Sequence, residues 1–181
     1  AQVQRFYLTT GAKPDFVDGH QHVHVLPAIR TGVLRVLSRH LPPAATLIRN
    51  PGAGWPQTLA RAATPAKATA VAMLGLGYRR ALAQAGFVSN DSFSGFASYR
   101  STLQRCGREL MTATAPTGPR HLAMCHPGYL DDELTALDRL TTRRALELEV
   151  LREATWLPDR LWRPPRDEVS GGIAWHHWSR S

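Results

Sequence analysis

Three histidines at alternate positions follow an aspartate near the start of the chain. In FVDGHQHVHVLP, residues 16–27, Asp18 precedes His20, His22 and His24. Side chains two positions apart on a strand share a face, so a continuous strand here would bring the three imidazoles and the carboxylate together. Imidazole is the commonest metal ligand, and a nearby carboxylate can bind the ion or orient the ring. We therefore predict a functional cluster in which not all three histidines bind one ion; the outermost one packs or closes a hydrogen bond.

A second candidate is His126, in the segment RHLAMCHPGY at residues 120–129. The segment is predicted to be a strand that ends in a Pro-Gly turn. Since the carboxyl ends of parallel strands meet at one edge of the fold, we expect His126 to reach the space near His20. A histidine tied to a rigid turn suits a positioned acid or base. The alternative is a buried histidine bonded to a turn carbonyl. Cys125, its neighbour, is expected to point into the core.

Arg49 is a weaker candidate at the same predicted edge, where the strand ATLIR, residues 45–49, ends. We predict that its guanidinium binds a substrate oxygen. A surface salt bridge is the alternative. The loop NDSFSGF, residues 90–96, is predicted either to line a pocket or to form an ordinary turn.

Helices and strands are predicted to alternate along the chain. The helical patterns are residues 1–11, 27–41, 65–85, 98–113 and 131–153, and the strand patterns are residues 13–20, 45–49, 87–96 and 120–129. Such alternation predicts an α/β fold with parallel strands joined by right-handed crossovers. About four parallel strands are too few to close an eight-stranded barrel.

The last part of the chain has a different composition. After the domain predicted over residues 1–153, residues 154–181 lack a clear period and contain most of the tryptophans: Trp156, Trp162, Trp175 and Trp178. We predict an irregular Trp- and Pro-rich tail.

Composition excludes several classes of protein. The 181 residues are 43% hydrophobic and contain no apolar run long enough to span a membrane. The net charge is +8, but the arginines are scattered and have acidic neighbours in helical stretches such as TTRRALELEVLRE, residues 141–153, so we predict no binding to nucleic acid. Cys106 and Cys125 make no disulfide framework, and the first residues do not form a signal peptide, so we expect a reducing, cytoplasmic location.

The motifs together resemble a known family. DGHQHVH followed by LP, then NDSFSGF, HLAMCHPGYLDDEL and RRALELEVL, is similar in order and spacing to the YdjC-like carbohydrate deacetylases, the ChbG/HpnK group, over roughly residues 2–153. The resemblance implies a distorted TIM-like (β/α) barrel, of which this chain would form part. It also implies hydrolysis of the N-acetyl group of an amino sugar or chito-oligosaccharide, with a divalent metal, Mg²⁺ as the first candidate and Zn²⁺ as the second.

The resemblance also assigns roles to residues. His20 matches the metal ligand, and Asp18 matches the catalytic-site aspartate just before it, where it orients the site. His126 matches the histidine of the second motif, an acid or a substrate-contacting group. His22 and His24, together with Arg49, are predicted to contact the substrate or support the residues that do.

The family pattern is incomplete in this chain. Family members begin with a strand ending in Asn-Ala-Asp-Asp-Phe-Gly, which supplies the catalytic base and a metal-binding aspartate, and a later Gly-x-His segment supplies a further ligand. Both would lie before Ala1, so the resemblance implies that the N-terminal part is lacking. Unpaired strand edges would then favour association, such as a homodimer.

Two other functions are compatible with the same residues. One is a truncated, catalytically inactive remnant or binding fragment that retains a single ligand, His20. The other is a metal-dependent phosphoesterase or amidohydrolase of the barrel type, which would call for more carboxylates than the chain has outside its helices.

Overall fold

A computed structural model describes residues 2–98, 100–115, 117–137, 141–162, 165–166, 172–175 and 178. Within these residues the chain forms eight helices: α1 (Gln2–Thr10), α2 (Pro27–His40), α3 (Trp55–Arg61), α4 (Pro65–Leu74), α5 (Tyr78–Gln84), α6 (Leu103–Ala113), α7 (Asp132–Leu137) and α8 (Thr141–Arg152). Four short strands lie between them: β1 (Phe16–Val17), β2 (Leu47–Ile48), β3 (Ser92–Ser94) and β4 (His121–Ala123). The predicted α/β class is confirmed.

All four strands are parallel to their partners, as predicted. In β1 and β2, Phe16 lies opposite Leu47, and in β3 and β4, Ser92 lies opposite His121. A parallel bridge joins Leu47 of β2 to Val88, in the segment that leads to β3. Within the described residues the strands do not close a barrel, and the partial TIM-like barrel stays a prediction.

The helix predicted over residues 65–85 is two helices, α4 and α5. They are separated by Gly75, Leu76 and Gly77, and Gly77 has a left-handed φ of 76°. Arg30 of α2 donates to the carbonyl oxygen of Leu76 at 2.6 Å, which fixes this turn against α2. The helix predicted over 131–153 corresponds to α7 and α8, with residues 138–140 outside the described part.

Two apolar clusters pack helices against the strands. One packs α2 and α5 against β2, through Val25, Leu34, Leu37, Leu41, Ile48, Tyr78, Leu82 and Phe87. The other packs α4 against β3, through Ala68, Val71, Phe93 and Phe96. Because the strands are only two or three residues long, these helices supply most of the core and position the loops at the strand ends.

The described part of the tail packs on the strands. The rings of Trp162, Trp175 and Trp178 contact one another with centroids 5.6–5.7 Å apart, and Trp175 and Trp178 cover Leu47 of β2. Indole Nε1 of Trp175 donates to the carbonyl oxygen of Asp15 at 3.0 Å. Residues 163–164, 167–171, 176–177 and 179–181 lie outside the described part. The boundary at residue 153 stays a prediction.

None of the described helices combines the length and apolar character needed to cross a membrane.

Candidate functional site

The histidine run is not a strand, so the predicted alternation of its side chains is wrong. β1 ends at Val17, and His20–Val25 forms 3₁₀ turns in which Gln21 (φ 49°) and His22 (φ 65°) are left-handed. The chain folds back at Gly19, whose carbonyl oxygen accepts the N–H of His22 at 3.0 Å. As a result the imidazole of His20 is exposed whereas those of His22 and His24 are buried.

Gly19 makes this fold-back possible. A Cβ added at Gly19 would stand 2.3 Å from Nδ1 of His24, so any side chain there would collide with the ring. The absence of a side chain at Gly19 therefore allows the backbone to lie close to the ring of His24.

Arg49 lies at the centre of the cluster. It follows β2 directly and is 1% exposed. Its Nε donates to Oδ1 of Asp18 at 2.7 Å, its Nη2 donates to the same oxygen and to the carbonyl oxygen of Gly19, and its Nη1 donates to Nδ1 of His22 at 2.7 Å. Of the two interpretations of Arg49, the salt bridge is present; its guanidinium is buried, whereas the Asp18 carboxylate is partly exposed.

These contacts determine which nitrogen of His22 carries its proton. A guanidinium only donates hydrogen bonds, so Nδ1 of His22 must accept and the neutral ring carries its proton on Nε2. Burial, followed by the positive charge of Arg49, lowers the pKa of His22 to about 3. The ring is therefore uncharged at neutral pH and presents an N–H donor.

His24 has the same tautomer for a different reason. Its Nε2 donates to the carbonyl oxygen of Arg49 at 2.8 Å, and its Nδ1 is buried against Gly19 without a hydrogen-bond partner in the described part of the chain. Burial lowers the pKa of His24 as well. This ring ties the 3₁₀ turns to the end of β2, which is a supporting role.

Two aromatic rings pack against His22. The ring of His22 lies 5.4 Å from that of Phe96 and 6.3 Å from that of Phe93, and the guanidinium of Arg49 stands 5.3 Å from the Phe93 centroid. Phe93 lies in β3 and Phe96 just after it, so the NDSFSGF segment contains a strand and lines the cluster. Asn90 of that segment donates to the carbonyl oxygen of Asn50 at 2.9 Å and accepts its N–H at 2.8 Å, so it joins β3 to the end of β2.

His126 lies three residues beyond β4, within electrostatic range of the cluster. Charge on His126, like charge on Lys67, would disfavour a charged His22 ring and is a minor cause of the lowered pKa of His22. The cluster thus unites Asp18, Arg49, His22 and His24 by hydrogen bonds, with His126 nearby. His20 takes no part in these hydrogen bonds within the described residues.

The sequence patterns missed a buried ion network behind His126. Oε2 of Glu147, in α8, accepts the backbone N–H of His126, and Oε1 accepts from Nε of Arg143 at 2.8 Å. Glu147 and Arg143 are 1% and 2% exposed. In the sequence, the spacing of four residues between Arg143 and Glu147 is typical of a solvent-exposed ion pair on a helix, so it gave no sign that the pair is buried. Cys125 was predicted to lie in the core and is instead exposed.

A complete metal site is not formed by the described residues. This part of the chain contains no group of three or more His, Cys, Asp or Glu side chains that could hold an ion. His22 has its Nδ1 occupied and its Nε2 protonated, and His24 is hydrogen-bonded through Nε2 and packed against Gly19. The donor set that remains, His20 with the second carboxylate oxygen of Asp18, does not fit a metal centre by itself.

Comparison with known proteins identifies the family. The family model of the YdjC-like proteins matches residues 1–157. A carbohydrate deacetylase of Xenopus laevis is 50% identical over 40 residues, and one of Danio rerio is 55% identical over 38 residues. These matches cover 22% and 21% of this chain and only 13% and 12% of the relatives. No solved structure matches the chain significantly.

The family match covers most of the chain and includes every residue of the cluster at the ends of β1 and β2, together with His126 and Glu147. The chain therefore belongs to the YdjC-like protein family.

Proposed function

We propose that this chain takes part in hydrolysing the N-acetyl group of an amino sugar or chito-oligosaccharide. The observation that carries the proposal is the uncharged His22, whose proton is fixed on Nε2 by Arg49, with a second histidine, His126, within its electrostatic range. The two relatives named carbohydrate deacetylase support the same chemistry.

The residues of this chain would divide the work of amide hydrolysis. Attack of water on the acetamide carbon places negative charge on the carbonyl oxygen, and the Nε2–H of His22 is a suitable donor to that oxygen. The carbon–nitrogen bond then breaks. Because an amine anion is a poor leaving group, the nitrogen needs a proton. His126 takes this proton from the attacking water and delivers it to the nitrogen as the bond breaks. Acetate and the free amino sugar are the products.

Asp18 and Arg49 would act by holding this geometry. Two nitrogens of Arg49 bond one oxygen of Asp18, so the guanidinium is fixed while Nη1 holds the ring of His22. Arg49 therefore orients His22 rather than contacting the substrate, and Asp18 orients Arg49.

A divalent ion, Mg²⁺ first and Zn²⁺ second, belongs to the proposal, with the exposed ring of His20 as its candidate ligand. An ion of this kind activates water. Since the described residues do not gather a ligand set, the steps above use only side chains of the chain. The contribution of His20 is tested by calorimetric titration of Mg²⁺ and Zn²⁺ into the wild type and His20→Ala. Equal binding by both would remove His20 from the proposal.

The activity is tested by acetate release from di-N-acetylchitobiose with Mg²⁺ or Zn²⁺. His126→Ala is expected to abolish release while the protein stays folded. His40→Ala is the matched control, because His40 is exposed at the far end of α2, about 20 Å along the helix from the cluster. A folded wild type that releases no acetate with either ion would overturn the proposal and favour the binding-fragment alternative.

A further inference from the structure

Glu147 belongs to a buried ion network that lies outside the cluster around Arg49. Nε of Arg143 donates to Oε1 of Glu147 at 2.8 Å, and Nη1 of Arg143 donates to Oε2 of Glu109 on α6. Glu109 also accepts from Nε of Arg105 at 2.8 Å and from the hydroxyl of Ser98 at 3.0 Å. Burial would raise the pKa of Glu109, but the hydrogen bonds from Arg105 and Arg143 outweigh it and lower that pKa.

Such a network holds Glu147 in one orientation. An ionised carboxylate is costly to bury unless it is paired and hydrogen-bonded. The pair with Arg143 satisfies one oxygen of Glu147, and Glu109 fixes Arg143 from the opposite helix. The second oxygen of Glu147 is consequently left for another donor.

That second oxygen holds the turn that carries His126. Oε2 of Glu147 accepts the backbone N–H of His126, and the N–H of Gly128 donates to the carbonyl oxygen of Arg144 at 3.3 Å. The turn is therefore attached to α8 at two points. Pro127 lies between them and fixes its own φ.

We infer that Glu147 is a positioning residue for His126. Its carboxylate fixes the backbone at His126 and so sets where the imidazole stands relative to His22. A hydrogen bond to an ionised acceptor is stronger than one between neutral groups, which suits a carboxylate for this task. The inference rests on the proposed function insofar as His126 is the proton donor there.

The test compares Glu147→Gln and Glu147→Ala with wild type. The glutamine side chain has one acceptor oxygen for two donors, the N–H of His126 and Arg143, whereas the alanine side chain has none. We expect kcat for acetate release to fall about 10- to 100-fold in Glu147→Ala, with a smaller fall in Glu147→Gln and an unchanged KM, because misplaced groups slow chemistry more than binding. Glu149→Ala is the matched control, since Glu149 is exposed on the same helix and should leave kcat unchanged.

A second readout does not depend on activity. NMR relaxation of the His126 ring is expected to show one rigid ring in the wild type and in Glu149→Ala, and a mobile ring in Glu147→Ala. If Glu147→Ala does not fold, kcat and the relaxation of the His126 ring are both measured on Glu147→Gln. Unchanged kcat together with a rigid ring in the variants would overturn the inference, and so would a mobile ring at unchanged kcat.

Failure of the proposed function is distinguishable from failure of this inference. If the wild type releases no acetate, the proposed function falls. The relaxation of the His126 ring then tests the positioning role by itself. A ring that is equally rigid in the wild type and in Glu147→Ala overturns this role, and a ring that becomes mobile only in the Glu147 variants supports it.

Discussion

Arg49 shows how one side chain can determine the chemistry of its neighbours. It donates to Asp18, Gly19 and His22 while almost wholly buried. A planar guanidinium has five donors in a fixed arrangement, whereas an ammonium group has three donors at a single point. The simultaneous bonds to Asp18, Gly19 and His22 therefore depend on Arg49 being arginine rather than on its charge alone.

Arg49→Lys is expected to lower the free energy of unfolding by about 1–2 kcal/mol, because the buried imidazole of His22 loses its donor while the Asp18 carboxylate is partly exposed to solvent. Urea denaturation measures the change. Arg39→Lys, at an exposed position on α2, should change stability by less than about 0.5 kcal/mol. Equal losses in both variants would contradict the organising role of Arg49.

His22 makes stability depend on pH. Its pKa is about 3 in the folded chain and 6.5 as the ordinary value, so between these pH values the unfolded chain binds more protons. The free energy of unfolding should rise with pH across this window, by at most about 1.4 kcal/mol per pH unit from this group, and level off above it. The measurement is urea denaturation from about pH 4 to pH 8, which spans the upper part of the window and the plateau. His22→Gln should have a shallower slope, and an unaltered slope would exclude His22 as its source.

At the scale of elements, the order of the strands was predictable, whereas α3, the break between α4 and α5 and the conformation of the histidine run were not. Alternating patterns located β1 to β4 within a few residues of their positions. The run from His20 to His24 has the same two-residue period, but Gly19 allows the chain to turn back and the left-handed Gln21 and His22 separate the exposed His20 from the buried His22 and His24. Local pattern could not anticipate a conformation fixed by packing of His24 against Gly19.

The candidate site was predictable as a set of residues but not as a set of contacts. Arg49 was correctly placed at the end of a strand, yet its partners are 27 and 31 residues away in sequence. Glu147 was missed because Arg143 and Glu147 have the spacing of an exposed helix pair. Only the packing of α8 against α6 shows that the pair is buried.

Gly95 sets how closely β3 and β4 approach. It has a φ of 145°, and a Cβ there would lie 2.7 Å from Cβ of Met124 and 2.9 Å from its carbonyl oxygen. Gly95→Ala should therefore lower the free energy of unfolding by about 2 kcal/mol. A Cβ added at Gly32 of α2 would find no atom of another part of the chain within 4 Å. Gly32→Ala should therefore raise the free energy of unfolding by about 0.5 kcal/mol. Thermal unfolding of both variants checks the opposite signs, and a shift of the same sign would refute the steric argument.

At the scale of the whole molecule, the tryptophans after residue 153 complete the packing of β2. Leu47 is fully buried, and Trp175 and Trp178 pack against it. The tail also bonds the start of β1: Ile173 N–H donates to Oδ1 of Asp15 at 2.9 Å, beside the indole bond to the same residue. Ala174, Trp175 and Trp178 of the tail are therefore part of the core.

Trp175→Ala is expected to lower the free energy of unfolding by about 3 kcal/mol, because it uncovers Leu47 and breaks the bond to Asp15. Trp156→Ala is the comparison, since Trp156 is only half-buried and lies beneath the guanidinium of Arg160. Chemical denaturation should show the smaller loss for Trp156. A larger loss at Trp156 than at Trp175 would show that the tail contributes little to the core.

The bonds from residues 173 and 175 back to Asp15 join parts of the chain that are made far apart in time. During synthesis, Asp15 leaves the ribosome long before Ile173 and Trp175 have been made. The carbonyl of Asp15 stays hydrated until then. Contacts of such long sequence separation are also slow to close. The start of β1 therefore gains these two bonds only after translation has passed Trp175.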